Sequence, residues 1–150
     1  MKNHYVLSVI NILTLCVVVL AVSSYFIYHS RFIGLVVILL GILCISTLVP
    51  FKVKISSVWA DIVFGMIDNG ILAVMAIFGG EIGGTMGAVI GGVVGNAVTD
   101  GIAGIFEGLI AEKARAARIS DKRTMLGSAV GKMSGCLLSA GAVLVVSGLL

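Results

Sequence analysis

The chain has 150 residues, of which 59% are hydrophobic, 11% are charged and one is proline. A water-soluble domain carries roughly 25% charged residues, so this composition excludes an ordinary soluble fold and points to the bilayer as solvent. The net charge of +3 is no nucleic-acid signature, because the Lys and Arg, Lys132 apart, cluster outside the apolar runs, and no nucleic-acid partner is expected.

Tyr5 to Tyr28 is the first apolar run and Phe32 to Val49 the second, separated by His29-Ser30-Arg31 and closed by Pro50. They predict two helices with a tight connection. Lys2, the apolar core and the small residues Ala21, Ser23 and Ser24 imitate a signal peptide, but the run is long for one. A lipoprotein anchor at Cys16 is disfavoured by the bulky Leu15 before it. After the polar stretch Phe51 to Ser57, a third span is expected from about Val58 to Phe78, with a brief turn at Gly79-Gly80-Glu81. A fourth run, Ile82 to about Glu112, would be about 46 Å long at the helical rise, against a hydrocarbon core of roughly 30 Å, so it must tilt, break or project. The stretch Glu112 to Arg123 reads as a basic loop, and Leu126 to Leu149 as the fifth span. The expected fold is therefore all-α, a polytopic helical membrane protein of about five transmembrane helices. Residues 1–57 form an N-terminal hairpin and 58–150 a three-helix core.

With five spans, Lys2, Lys52, Lys54, Lys113, Arg115, Arg118, Lys122 and Arg123 fall on one side and Arg31 on the other. The positive-inside tendency then places the N-terminus in the cytoplasm and the C-terminus outside. Tyr25, Tyr28 and Trp59 read as interface anchors. Cys16, Cys44 and Cys136 all lie in apolar stretches and read as buried small hydrophobes, with no disulfide framework or CxxC site.

Gly79, Gly83, Gly87, Gly91 and Gly95 repeat every four residues, and Gly127, Gly131 and Gly135 form a second row on the fifth span. Such rows put a bare stripe on one helix face, where helices in lipid approach closely. Glycine-stripe packing is expected, either between the two rows or across a homodimer axis; a hinge or ion-lining backbone is the functional alternative.

Of the seven acidic residues, Glu112 and Asp121 belong to the basic loop, while Asp61, Asp68, Glu81, Asp100 and Glu107 lie in or beside the third and fourth spans. A charged group at the bilayer centre costs about 3 to 17 kcal/mol by competing estimates, so it faces a pathway or a partner. The middle of the third span falls near Asp68 and Asn69, and that of the fourth near Asn96 to Asp100. Asn96 and Asp100 are i and i+4, about 6 Å apart along the axis on one face, and can share an ion. Asp61 and Glu107 each lie seven residues, about 10 Å, nearer the cytoplasm. With Glu81 at the outer mouth, three acidic levels cross the bilayer, which suits a hard cation: Ca²⁺ takes six to eight oxygens from carboxylates, amides, carbonyls and water. The competing reading is that these acids pair with one another, with protons or with Lys132, which lies near the depth of Glu107. For Asp61 a solvated helix-end charge competes, and for Glu81 a simple loop position. His4 and His29 sit at span ends, no Ser or Cys has a base at a recognisable spacing, and HExxH and P-loop motifs are missing, so no enzyme is expected.

Gly65-Met66-Ile67-Asp68-Asn69-Gly70, then Gly95-Asn96-Ala97-Val98-Thr99-Asp100 with Glu107 following, then Leu126-Gly127 and Gly131 to Gly135-Cys136, resemble in this order the transmembrane protein 65 family. The match covers roughly Val58 to Leu149, about three-fifths of the chain. Animal members of that family are mitochondrial inner-membrane proteins linked to sodium-dependent calcium efflux, and relatives occur in bacteria. The resemblance implies that Asp68, Asn69, Asn96, Asp100 and Glu107 are cation-handling positions. Two departures stand out: the first two spans lie outside the matched core, with no transit peptide before them, which looks bacterial, and Lys132 stands where an apolar residue is expected. The expectation is thus a sodium/calcium exchanger of the bacterial inner membrane, with Ca²⁺ and Na⁺ as cargo and no other cofactor. A non-transporting scaffold or regulatory subunit, or a cation channel, are the alternatives.

Overall fold

Where water is scarce the backbone must satisfy its own hydrogen bonds, and a chain with one proline and long aliphatic runs does so as helix. The computed structural model describes residues 2–29, 32–116 and 124–148. Its four helices are α1 (Lys2–His29), α2 (Ile33–Ser46), α3 (Ile55–Ala116) and α4 (Met125–Ser147), and the described residues contain no strand. By length and composition α1, α3 and α4 can each cross a membrane. The second predicted span is realised as the 14-residue α2, followed by turns over residues 47–52 that include Pro50. At about 21 Å, α2 is shorter than the hydrocarbon core.

The predicted third and fourth spans are the two arms of α3, and the break between them lies four residues beyond the expected Gly79-Gly80 turn. Helical geometry fails at Gly83 (φ −124°, ψ 17°) and Gly84 (φ 58°, ψ −143°). The Gly84 conformation is open almost only to glycine, because a Cβ would collide with the flanking backbone. Gly79 and Gly80 stay helical, and so does Glu81, which therefore sits on the first arm rather than in a loop. The arms approach closely there: a Cβ at Gly79 would run into the carbonyl of Gly87, and one at Gly87 into the carbonyl of Gly79. Proximities at Gly91 with Met75 and Gly95 with Leu72 step symmetrically away from the break. Gly84→Ala is accordingly expected to lower stability by about 1–3 kcal/mol, read as a lower thermal midpoint in detergent, while Gly83→Ala, at a negative φ with open space around its Cβ, changes it less.

Helix α4 packs along both α2 and α3, and α1 lies against α2 and α4. Thr124 caps α4, its hydroxyl accepting from the Gly127 amide at 3.0 Å. Leu15, Cys44, Leu48, Val58, Leu126 and Val130 form the buried cluster, which gathers the α2–α3 connection and the start of α4 against α1. Cys44 is fully buried as expected, whereas Cys16 and Cys136 are half-buried, and all three are free thiols. The nearest neighbours of Gly131 and Gly135 are Val58, Asp61, Ile62 and Met66 on the first arm of α3, and those of Gly91 and Gly95 are Leu72, Met75 and Ala76 on the same arm. Gly91, Gly95, Gly131 and Gly135 thus each have the first arm of α3 as their nearest neighbour.

Candidate ion site

Asp68 and Asn69 are half-buried on the first arm of α3, at the level where the second arm crosses them. The Thr99 hydroxyl donates to Asp68 Oδ1, joining the two arms. Thr99 is only 4% exposed, and its oxygen also lies 3.1 Å from the Gly95 carbonyl and 3.0 Å from that of Asn96. A hydroxyl carries one hydrogen, and the carboxylate is the strongest of its three acceptors. The Asn69 amide donates to Asp68 Oδ2 at 3.3 Å and to Cys136 Sγ on α4 at 2.6 Å. A continuous polar chain, Thr99–Asp68–Asn69–Cys136, therefore links both arms of α3 to α4 through otherwise apolar helices.

The second expected pair forms its own contact. Asn96 Nδ2 donates to Asp100 Oδ2 at 2.8 Å, on an exposed face. This face borders an open cleft of about 400 Å³ lined by Leu72, Gly92, Val93, Asn96, Ala97 and Asp100. Thr99, not Asp100, stands opposite Asp68; consecutive helical residues differ by about 100° around the axis, which turns Asp100 toward the cleft. Among the described residues no group of three or more His, Cys, Asp or Glu side chains stands close enough to hold a metal ion. Oxygen donors other than carboxylates must then complete any shell around Asp68.

Asp61 is 2% exposed, so the solvated helix-end reading does not hold for it. Ser128 Oγ on α4 donates to its Oδ1 at 3.0 Å, and Gly131 lies over its Cβ. Removing that donor leaves a buried carboxylate short of a hydrogen bond, a loss of about 1–3 kcal/mol. Ser128→Ala is expected to lower the thermal midpoint accordingly, with Ser128→Thr restoring most of it. Glu81 is exposed beside a mainly apolar cleft formed with Val74, Phe78 and the end of α4 at Ala142, Val143 and Val146. Lys132 is half-buried, its ammonium 4.5 Å from the centre of the Phe64 ring, a cation–π arrangement that gives an amine in an apolar span a favourable seat. Glu107 lies on the second arm, but its side chain is outside the described residues.

No family model, curated protein or solved structure matches this chain. Its site is therefore defined by its own geometry. Three members of that geometry, Thr99, Ser128 and Cys136, escaped the sequence reading, which weighed carboxylates and amides. Thr99 was within reach: Gly87, Gly91 and Gly95 continue at the same four-residue step to Thr99, which places its hydroxyl on the face turned to the first arm.

Proposed function

We propose that this protein is a membrane cation transporter, most concretely a sodium/calcium exchanger, in which Asp68 is the central ligand. The observation that carries the reading is the setting of Asp68, a carboxylate among apolar helices with a hydroxyl and an amide already turned toward it. Asp68 can offer two oxygens, and Thr99 Oγ1 and Asn69 Oδ1 one each, so a hard cation of six to eight ligands fills its shell from backbone carbonyls and water. Asn96 and Asp100 receive the ion from the open cleft, and Glu107 and Asp61 pass it toward the cytoplasmic side. Na⁺ and Ca²⁺ competing for one carboxylate give coupling when the site opens to one side at a time.

The same proposal includes five crossings, with the two arms of α3 counted separately and α2 as a short span; a cytoplasmic N-terminus in a bacterial inner membrane; and membership of the transmembrane protein 65 family. It also includes a homodimer. Gly101, Gly104 and Gly108 on the second arm have nothing within 4 Å of an added Cβ, which leaves a small-residue face open to a second copy. A scaffold or regulatory subunit is the second reading, and the buried Asp61–Ser128 bond favours it, since an acid satisfied inside its own bundle needs no ion.

Proteoliposome flux separates the readings. Purified protein is expected to move ⁴⁵Ca²⁺ against an imposed sodium gradient in a saturable manner. Flux that neither saturates nor depends on the counter-ion identifies a channel, and folded protein that moves no calcium at all removes transport.

A further inference from the structure

We infer that the second arm of α3 pairs with the same arm of a second copy of this chain along the row Met86, Ile90, Val93, Ala97, Asp100 and Gly104, and that the Asn96–Asp100 pairs of the two copies join into one polar cluster. This rests on the homodimer reading and names its contact; it does not depend on what the protein transports.

The row alternates steps of four and three residues, the spacing of a seam between parallel helices. Every member of it is exposed. It lies on the far side of the arm from Gly87, Gly91, Gly95 and Thr99, which meet the first arm. Lipid can cover the apolar members but not Asp100, which stands near the middle of the second arm and is turned away from its own bundle. A carboxylate facing hydrocarbon finds neither donor nor water, and polar groups so placed drive helices together.

A second copy supplies what Asp100 needs. Copies of one chain insert the same way round, so a twofold axis along the membrane normal brings like residues to like depth. Asn96 Nδ2 donates to Asp100 Oδ2 at 2.8 Å, which sets the polar atoms of the pair at one level. The partner's pair arrives at that same level by symmetry alone. An amide nitrogen carries two hydrogens; one is used within the chain, and the other can be given to the carboxylate opposite, so the contact is self-complementary. Without those hydrogens two carboxylates would face each other bare. Ala97 and Gly104 keep the row low on either side of Asp100, and an added Cβ at Gly104 meets nothing within 4 Å. The second copy also walls the open cleft of about 400 Å³ that Asn96 and Asp100 line.

The test is cross-linking of the full chain in liposomes, at low protein-to-lipid ratio, with a short bismaleimide. Val93→Cys and Ala97→Cys are expected to give a covalent dimer well above the wild-type background set by Cys16, Cys44 and Cys136. Val98→Cys, exposed but about 100° further round the helix than Ala97, should stay at background. Lipid dilution of Ala97→Cys then measures the dimer: adding Asp100→Leu should raise its dissociation constant about tenfold or more, whereas Asp100→Asn, which still accepts a hydrogen bond, keeps it. Equal yields at Val93→Cys, Ala97→Cys and Val98→Cys, or a dimer indifferent to Asp100→Leu, overturn the contact. The positional pattern is read with Asp100 intact, so it decides the matter even if Asp100→Leu fails to fold. Counting subunits by single-molecule photobleaching separates the two readings: dimers that lack the Val93→Cys and Ala97→Cys cross-links remove this contact and leave a homodimer, and monomers remove both.

Discussion

Asp68→Asn is expected to reduce calcium flux about 10- to 100-fold while the protein stays folded. The substitution keeps size and shape but removes the charge, and hydrogen bonds to charged groups contribute about 1.5–3 kcal/mol, which corresponds to that range of fold-change. One amide oxygen still accepts from Thr99, but the new NH₂ group meets the Asn69 amide donor that formerly bonded to Asp68 Oδ2. Donor faces donor, so the local network loses a bond as well as a charge. Thr99→Val probes the same carboxylate from the other arm and should lower flux less, because the charge remains. Glu112→Gln, at an exposed position near the end of α3, serves as control and should leave flux unchanged. Wild-type flux in Asp68→Asn would remove Asp68 from the ion pathway and leave its polar chain a structural tie between helices.

The largest stability effect is expected at the crossing of α3 and α4. A Cβ at Gly135 would run into the Ile62 carbonyl, and one at Gly65 into the Lys132 carbonyl. In both cases the obstacle is backbone, which cannot rotate away as a side chain can, so the helices must separate along their length. Forcing extra atoms into a packed contact costs about 1–3 kcal/mol and occasionally more. Gly135→Leu and Gly65→Leu should each reach the upper part of that range, and the double variant should not fold. The measurement is the thermal midpoint in detergent together with elution as a single species. Gly101→Ala, Gly104→Ala and Gly108→Ala give the contrast: with open space at each, alanine should raise helix stability by up to about 1 kcal/mol per site. A fall in stability at these three positions, accompanied by loss of a dimer species, would locate a subunit contact there.

Separation of the two polar pairs was harder to foresee than their depth. Counting residues from the ends of the spans brings Asp68 and Asp100 to similar levels, and the symmetric pairing about Gly83–Gly84 does place Asp68 beside Thr99, one residue from Asp100. Depth along a helix follows from rise per residue and is readable in a sequence. Azimuth around the helix depends on which face the partner helix takes, and the partner's glycines decided that by allowing contact along the Gly87–Gly91–Gly95 face. Thr99 continues that face and meets the carboxylate, while Asn96 and Asp100 are turned outward to the cleft.

The sequence by itself pointed to the bilayer as solvent and to the all-helical class, and it showed the concentration of acids in one region, because a chain in lipid must satisfy its backbone internally and long continuous aliphatic runs do so as helices. Only the tertiary structure decided where the α3 hairpin breaks, since Gly79, Gly80, Gly83 and Gly84 are alike in composition and differ in what stands across from them. It also decided that Asp61 is enclosed by Ser128 and Gly131, and that Asn69 meets Cys136. Those contacts join residues 67 positions apart, and no local period in the chain encodes which faces of two helices will touch.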